Sequence, residues 1–248
     1  MAADLESVFE AHQATGTLVI ERLGDGKRWV HDPARADKRH IPASTFKIAN
    51  TMFALETGVV ANVDEIIPWD GKVRRIKAWN RSLSLRDAIK VSAVPIYQHV
   101  ARQIGLDQMA GLLAKLGYGN VQTGEQVDVF WLRGPLRVSA NEQIAFLKRL
   151  NRRDLPFSRD AQEATIEIME VMRGEDRVLR AKTGWEIASN PDIGWYVGWL
   201  ESQDDVWVFA LNIDVTDKAH RAARSDIVLA ALGEVTGRAL SDMRRPRP

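Results

Sequence analysis

The chain contains the segment Ser44-Thr45-Phe46-Lys47, and Ile48, Met52 and Leu55 follow it at the spacing of an apolar helix. The pattern predicts a buried helix that begins at or just after Ser44 and stops near Gly58. Lys47 is the third residue after Ser44, so a helix places the lysine amine beside the serine hydroxyl. The first turn also presents unpaired N–H groups that stabilise a developing anion. The segment therefore favours a serine nucleophile.

Two shorter motifs strengthen this interpretation. An isolated Ser-x-x-Lys is more often a helix cap with an exposed lysine, but this chain also contains Ser92-Ala93-Val94 and Lys182-Thr183-Gly184, in that order. The first offers a second hydroxyl to move a proton. The second ends a predicted strand and offers a cation, a hydroxyl and a glycine that allows a substrate to lie close. Together they indicate acyl transfer through a covalent serine intermediate.

The rest of the chain predicts a mixed α/β fold of the α+β type. Strand patterns occupy both ends of the sequence and helices the middle, which predicts an antiparallel sheet flanked by terminal helices, with an inserted all-helical lobe. We expect one catalytic domain over residues 1–248, with the sheet in about 1–35 and 176–240 and the lobe in about 58–175. One of the lobe helices is expected to begin after Ser158 and to run to about Met172.

Composition excludes several classes of protein. The 248 residues have a net charge of +1 with the charges interspersed, which gives no indication of nucleic-acid binding. No cysteine is present, so thiol catalysis and disulfides are excluded. The five histidines lack metal-ligand spacing, and we expect no metal. No run is long and apolar enough for a membrane span, and we expect no signal peptide before the first helix.

With these motifs the chain resembles the class D, oxacillinase-type serine β-lactamases. The resemblance covers nearly the whole chain and includes the three motifs above, Tyr118-Gly119-Asn120, and the segments around Phe130-Trp131-Leu132 and Gly194-Trp195. Valine at position 94, where related penicillin-recognising proteins usually have asparagine, points to this class. The resemblance implies the penicillin-recognising serine-enzyme fold and a periplasmic enzyme that opens the β-lactam ring.

The resemblance also implies an unusual base, Lys47 carboxylated on its amine by CO₂, and no other cofactor. Only a neutral amine captures CO₂, and apolar surroundings disfavour the ammonium form. The resulting anion in a dry site requires a donor, for which the Trp131 indole is the natural candidate. The expected catalytic residues are Ser44, Lys47, Ser92, Trp131 and Lys182.

Substrate contacts are expected from Val94 and from the strand residues Thr183, Gly184 and Trp185. The backbone N–H of Trp185 and that of Ser44 are expected to bind the oxyanion. The family uses an arginine before the last helix for the substrate carboxylate, and two stand there, Arg221 and Arg224. Counting from the apolar run that follows favours Arg221. The expected partner is a small β-lactam, and the chain is expected to be a monomer or a homodimer.

Two alternatives share this architecture. A β-lactam sensor domain is acylated but does not turn over, and a penicillin-binding transpeptidase acts on cell-wall peptides. Val94 in place of an amide side chain argues against both.

Overall fold

An antiparallel six-stranded sheet is the central element of the computed structural model, which describes residues 3–203 and 205–245 and, within them, every side chain but those of Lys218 and Arg221. The strand order across the sheet is β2-β1-β6-β5-β4-β3. The strands are β1 (Gly16–Arg22), β2 (Arg28–His31), β3 (Glu170–Arg173), β4 (Arg177–Glu186), β5 (Asp192–Ser202) and β6 (Val206–Val215).

The helices lie before, between and after these strands. They are α1 (Leu5–Ala11), α2 (Pro33–Ala36), α3 (Lys47–Glu56), α4 (Leu85–Lys90), α5 (Val94–Ile104), α6 (Leu106–Leu116), α7 (Ala140–Asn151), α8 (Arg159–Ile168) and α9 (Lys218–Thr236). The described residues also form two short 3-10 helices, Ala43–Phe46 and Lys77–Trp79. In the described ranges, no helix is both long and apolar enough to cross a membrane.

The sheet separates two hydrophobic cores because alternate side chains of a strand point to opposite faces. On one face Leu18, Phe209 and Leu211 pack with buried residues of α1 and α9. On the other face Val197 and Ala210 pack with the helices of the middle of the chain. This arrangement confirms the predicted sheet flanked by terminal helices.

Local capping explains where several helices begin. Ser139 accepts a hydrogen bond from the N–H of Glu142, whose carboxylate accepts one from the N–H of Ser139, so α7 begins with a capping box. Ser84 caps α4 and Ser158 caps α8, each with a single bond accepted by its side-chain oxygen. The start of α8 after Ser158 agrees with the prediction from the sequence.

The predicted end of α8 is wrong. The helix ends at Ile168, and the next residues form β3 at the edge of the sheet instead of continuing to Met172. The strand conformation places Val171 and Met172 against the core on the α9 side, and the N–H of Ala181 donates to the carbonyl of Met169. The helical lobe therefore does not extend to residue 175, because tertiary packing outweighs helical spacing here.

Candidate functional site

Ser44 lies in the 3-10 helix Ala43–Phe46, which continues directly into α3. The Nζ atom of Lys47, the first residue of α3, lies 2.8 Å from the Oγ atom of Ser44. Ala43 has a φ of 49°, a left-handed conformation that is rare for a residue with a side chain. Such strain is concentrated at functional sites, where the surrounding structure must enforce it.

Three hydrogen bonds hold this strained turn in place. Thr45 Oγ1 donates to the carbonyl of Pro42 at 2.8 Å and accepts from Gln143 Nε2 at 2.9 Å. Just before the turn, Trp195 Nε1 donates to the carbonyl of Ile41 at 2.9 Å. Helix α7 and strand β5 thereby fix the position of the serine. These supporting residues were not predicted, because their role depends on contacts distant in sequence.

Lys47 is completely buried. Its amine lies 5.3 Å from the centroid of the Tyr97 ring, and the neighbouring Phe46 is buried among other aromatic rings. Burial lowers the pKa of Lys47 well below its ordinary value, and the positive charge of Lys182 lowers it further. The amine is therefore neutral over a range of pH in which an exposed lysine is charged, so it can act as a base or react with an electrophile.

Trp131 is also fully buried, and its ring stacks on Phe46 with centroids 5.7 Å apart. Phe130 contacts both rings, at 5.1 Å from Phe46 and 5.0 Å from Trp131. Among the described residues, the indole Nε1 of Trp131 has no hydrogen-bond partner. A buried N–H group normally donates a hydrogen bond. This N–H is therefore positioned to donate to an acceptor that a covalent modification or a bound ligand brings to the site.

Ser92 lies in the turn between α4 and α5, with a φ of 54°. Helix α5 packs on α3, where the hydroxyls of Tyr97 and Thr51 are 2.9 Å apart. Val94 is the first residue of α5 and is half-buried. Tyr97 thus connects the second motif to the buried lysine. Sequence reasoning missed this residue, although its place one helical turn after Val94 is a usable signal.

Lys182 lies on β4, and its Nζ atom donates to the carbonyl and the hydroxyl oxygen of Thr183 at 3.1 and 3.3 Å. Its side chain is almost fully buried. Burial, and after it the charge of Arg224, lowers the pKa of Lys182 to about 7. The structure therefore places a second lysine of reduced basicity in the same site.

Gly184 allows β4 to lie against the turn that contains Ser44. A Cβ atom at this position would come within 2.9 Å of the Pro42 carbonyl oxygen and within 3.1 Å of a Thr45 methyl group. Any larger residue would separate strand and turn. This contact explains the glycine of the third motif in physical terms.

The backbone amides of β4 alternate between the two edges of the strand. The N–H of Ala181 donates outward to Met169, and alternate residues of a strand direct their amides to the same edge. The amides of Thr183 and Trp185 therefore point to the same edge of β4 as that of Ala181. The Trp185 ring is 40% exposed, and its Nε1 donates to Asp192 at 2.9 Å.

Of the two arginine candidates, Arg224 lies against the site. It is buried on α9, and its Nη1 donates to the carbonyl oxygens of Gly184 and, at 3.4 Å, of Trp195. Arg221 lies on the first turns of α9, but its side chain is outside the described residues. The described contacts therefore connect Arg224 to β4.

The Tyr118-Gly119-Asn120 segment supports the loop that follows Trp131. Asn120 donates to the Pro135 carbonyl and accepts from the Arg137 N–H, both at 2.9 Å. A Cβ atom on Gly119 would come within 2.1 Å of the Arg137 carbonyl oxygen. These contacts give the segment a structural role.

Comparisons with known proteins agree with this geometry. Residues 25–233 match the family model described as the penicillin binding protein transpeptidase domain. The chain is 41% identical to β-lactamase OXA-48 of Klebsiella pneumoniae, over 84% of this chain and 78% of that one. It is 39% identical to β-lactamase OXA-10 of Pseudomonas aeruginosa, over 88% and 84%.

Solved structures of β-lactamases are also similar to this chain. The class D β-lactamase YbXI from Nostoc superposes with a TM-score of 0.93 and 40% identity, covering 94% of this chain and 99% of that one. FUS-1 (OXA-85), a class D β-lactamase from Fusobacterium nucleatum subsp. polymorphum, has a TM-score of 0.90 and 39% identity, covering 93% and 96%.

Proposed function

Because the chain belongs to the class D β-lactamases and so hydrolyses β-lactams, we propose that it does this through an acyl-enzyme on Ser44, with a carboxylated Lys47 as the general base. The observation that supports the proposal most directly is the buried Lys47 amine, 2.8 Å from the Ser44 hydroxyl and with a strongly lowered pKa.

The residues around Lys47 fit a carboxylated amine. A neutral amine adds to the carbon of CO₂ and releases one proton, which gives a carbamate anion. The Trp131 Nε1–H, buried and without a partner among the described residues, is the donor that this anion needs. When Lys47 is carboxylated, its carboxylate supplies the base for the Ser44 proton and later for the deacylating water.

Ser44 then attacks the lactam carbonyl, forming the ester bond and breaking the carbonyl–nitrogen bond of the ring. The amides of Ser44 and Trp185 bind the oxyanion, since Gly184, the residue before Trp185, lies against the nucleophile turn. Ser92, assisted by Lys182, transfers a proton to the departing ring nitrogen. Water hydrolyses the ester and regenerates Ser44.

The substrate carboxylate is held by the cationic end of β4. Lys182 and Thr183 lie next to each other there, and Gly184 provides the space. We assign the arginine role to Arg224 rather than Arg221, because the guanidinium of Arg224 lies against the Gly184 carbonyl. Val94, at the start of α5, forms the apolar side of the site.

Repeated turnover of nitrocefin tests this function. We expect many turnovers per protein, and a transient mass increase on Ser44 when the reaction is quenched early. A single stoichiometric burst followed by a stable adduct would instead indicate a sensor domain or a transpeptidase. The Ser44→Ala variant serves as the control and should form no adduct.

We further propose that the enzyme works in the periplasm. β-Lactams reach their cell-wall targets outside the cytoplasmic membrane, so hydrolysis there protects those targets. Fractionation of cells that express the native gene, with activity measured in the periplasmic extract, tests this location.

A further inference from the structure

A loop with many exposed side chains lies in the segment between α3 and α4. Its two ends form a backbone bridge, in which the amides of Ile67 and Leu83 donate to each other's carbonyls at 3.0 and 3.1 Å. The Trp69 N–H adds a bond to the Ser82 hydroxyl at 3.1 Å. We call residues 72–81 of this segment the basic loop.

The basic loop has a defined shape of its own. The side chain of Asn80 accepts from the Arg74 N–H at 2.8 Å and donates to the Arg74 carbonyl at 2.9 Å. Arg74 forms a double hydrogen bond with Asp70 at 2.6 and 2.8 Å. The Trp79 indole donates to the Val91 carbonyl at 3.0 Å, which fixes the loop to the body of the protein. These bonds involve the backbone and the side chains of Asp70, Arg74, Trp79 and Asn80. They do not involve the remaining basic side chains, which face outward.

The outer side chains are strongly basic. The basic loop contains five Lys or Arg residues and no acidic residue, in a chain whose net charge is only +1. Arg74 is paired with Asp70. The other four are exposed and form no ion pair with any residue in 3–203 or 205–245. They are Lys72, Arg75, Lys77 and Arg81. The rest of the chain is therefore net acidic, and positive charge is concentrated on this loop.

Two aliphatic side chains lie among these cations. Val73 is 83% exposed, the largest exposure given for a large hydrophobic residue of the described chain, and Ile76 is 45% exposed. Single exposed aliphatic residues are ordinary on a protein surface. Here, however, they occupy the same ten-residue loop as four unpaired cations, and the combination is that of segments that bind a membrane interface.

We propose that the basic loop binds the surface of an anionic phospholipid bilayer. The cations attract the negative headgroups, and Val73 and Ile76 enter the boundary between headgroups and acyl chains. Charge alone would fit any polyanion, but a soluble polyanion offers nothing apolar to receive these two side chains. The protein thus associates with the membrane surface reversibly, through one loop and without a spanning helix.

Sedimentation with vesicles tests the proposal. We expect the protein to bind vesicles of phosphatidylcholine and phosphatidylglycerol, to bind pure phosphatidylcholine much more weakly, and to be released by about 0.5 M NaCl, where screening is strong. The double variant Arg75→Gln/Lys77→Gln should lower the partition coefficient roughly 30-fold, since each basic residue near an anionic surface contributes about fivefold. Val73→Ser should lower it at least about threefold.

The matched control is Lys38→Gln/Arg152→Gln, which removes two exposed, unpaired cations elsewhere in the described chain. It should bind vesicles like the parent, and all variants should hydrolyse nitrocefin at the parental rate, which shows that they are folded. Absence of binding by the parent, or an equal loss in the control, would overturn the proposal. So would displacement by heparin together with unchanged binding of Val73→Ser, which would indicate a soluble polyanion as partner. Because hydrolysis is measured separately, failure here leaves the catalytic proposal intact.

Discussion

Lys182 lowers the pKa of Lys47: after burial, it is the second cause of the reduced basicity of that amine. Both lysines are buried, so little water screens their mutual repulsion. Arg224 acts on Lys182 in the same way and contributes to its pKa of about 7. The site thus gathers cationic groups where charge is costly, and it stabilises an anion placed among them, whether a carbamate on Lys47 or a substrate carboxylate.

Activity should depend on dissolved CO₂. In buffer depleted of CO₂ we expect the rate of nitrocefin hydrolysis to fall and to return when bicarbonate is added, because the proposed base forms only from CO₂. Mild acid should have the same effect, since protonation of Lys47 prevents carbamate formation. With ¹³C-labelled bicarbonate, NMR should detect a carbamate signal that disappears in Lys47→Ala. Full turnover without that signal would exclude Lys47 carboxylation as the source of the base.

Removal of the Trp131 N–H should slow deacylation. Trp131→Phe keeps an aromatic ring against Phe46 but removes the donor proposed for the carbamate, so deacylation should slow about 10- to 100-fold, the value of a hydrogen bond to a charged group. Acylation should slow less, and the acyl-enzyme should accumulate in quenched samples measured by mass spectrometry. Trp207→Phe is the control, because its Nε1 is likewise buried without a partner in the described structure but lies in the core on the α9 side. Parental kinetics in Trp131→Phe would contradict the assignment.

Lys182 should make stability depend on pH. Its pKa falls from 10.5 to about 7 on folding, so between these values the unfolded chain binds more protons than the folded one. The contribution of Lys182 to the free energy of unfolding therefore increases as pH rises from about 7 to 10.5, and is constant below that range. Thermal unfolding of the parent and of Lys182→Met should show it: the difference in Tm in favour of the variant is largest near pH 7 and shrinks toward pH 10. A difference that does not vary with pH would show that Lys182 is charged in the folded state.

Loss of Arg224 should weaken binding of substrates that have a carboxylate. Arg224→Gln should raise KM about 10- to 100-fold, because a charge-assisted contact is removed. It should also raise the pKa of Lys182, which is visible as a shift in the pH profile of kcat/KM. Arg224→Lys, which keeps the charge, should restore the profile more fully than it restores KM. If Arg221→Gln has the larger effect on KM, the carboxylate binder is Arg221.

The sequence by itself determined most of the secondary-structure elements and the chemistry to be expected of the site. Apolar periodicity, capping serines and glycine stops predicted most helices and strands, because these signals act within a few residues of one another. The three short motifs supplied the side chains that are expected to take part in catalysis. The local spacing of Ser44 and Lys47 is sufficient to bring the amine to the hydroxyl, and the structure has the two atoms at 2.8 Å.

Only the tertiary structure decided how that chemistry is positioned. The contact of Gly184 with the Ser44 turn, the supporting bonds from Gln143 and Trp195, and the bond of Arg224 to the Gly184 carbonyl all join segments far apart in sequence. The end of α8 also depends on such a contact. The residues predicted to be its last turn pair with β4 and form β3 instead. Burial itself is a tertiary property. A lysine becomes a base only when several distant elements together exclude water from it, and no local pattern encodes that exclusion.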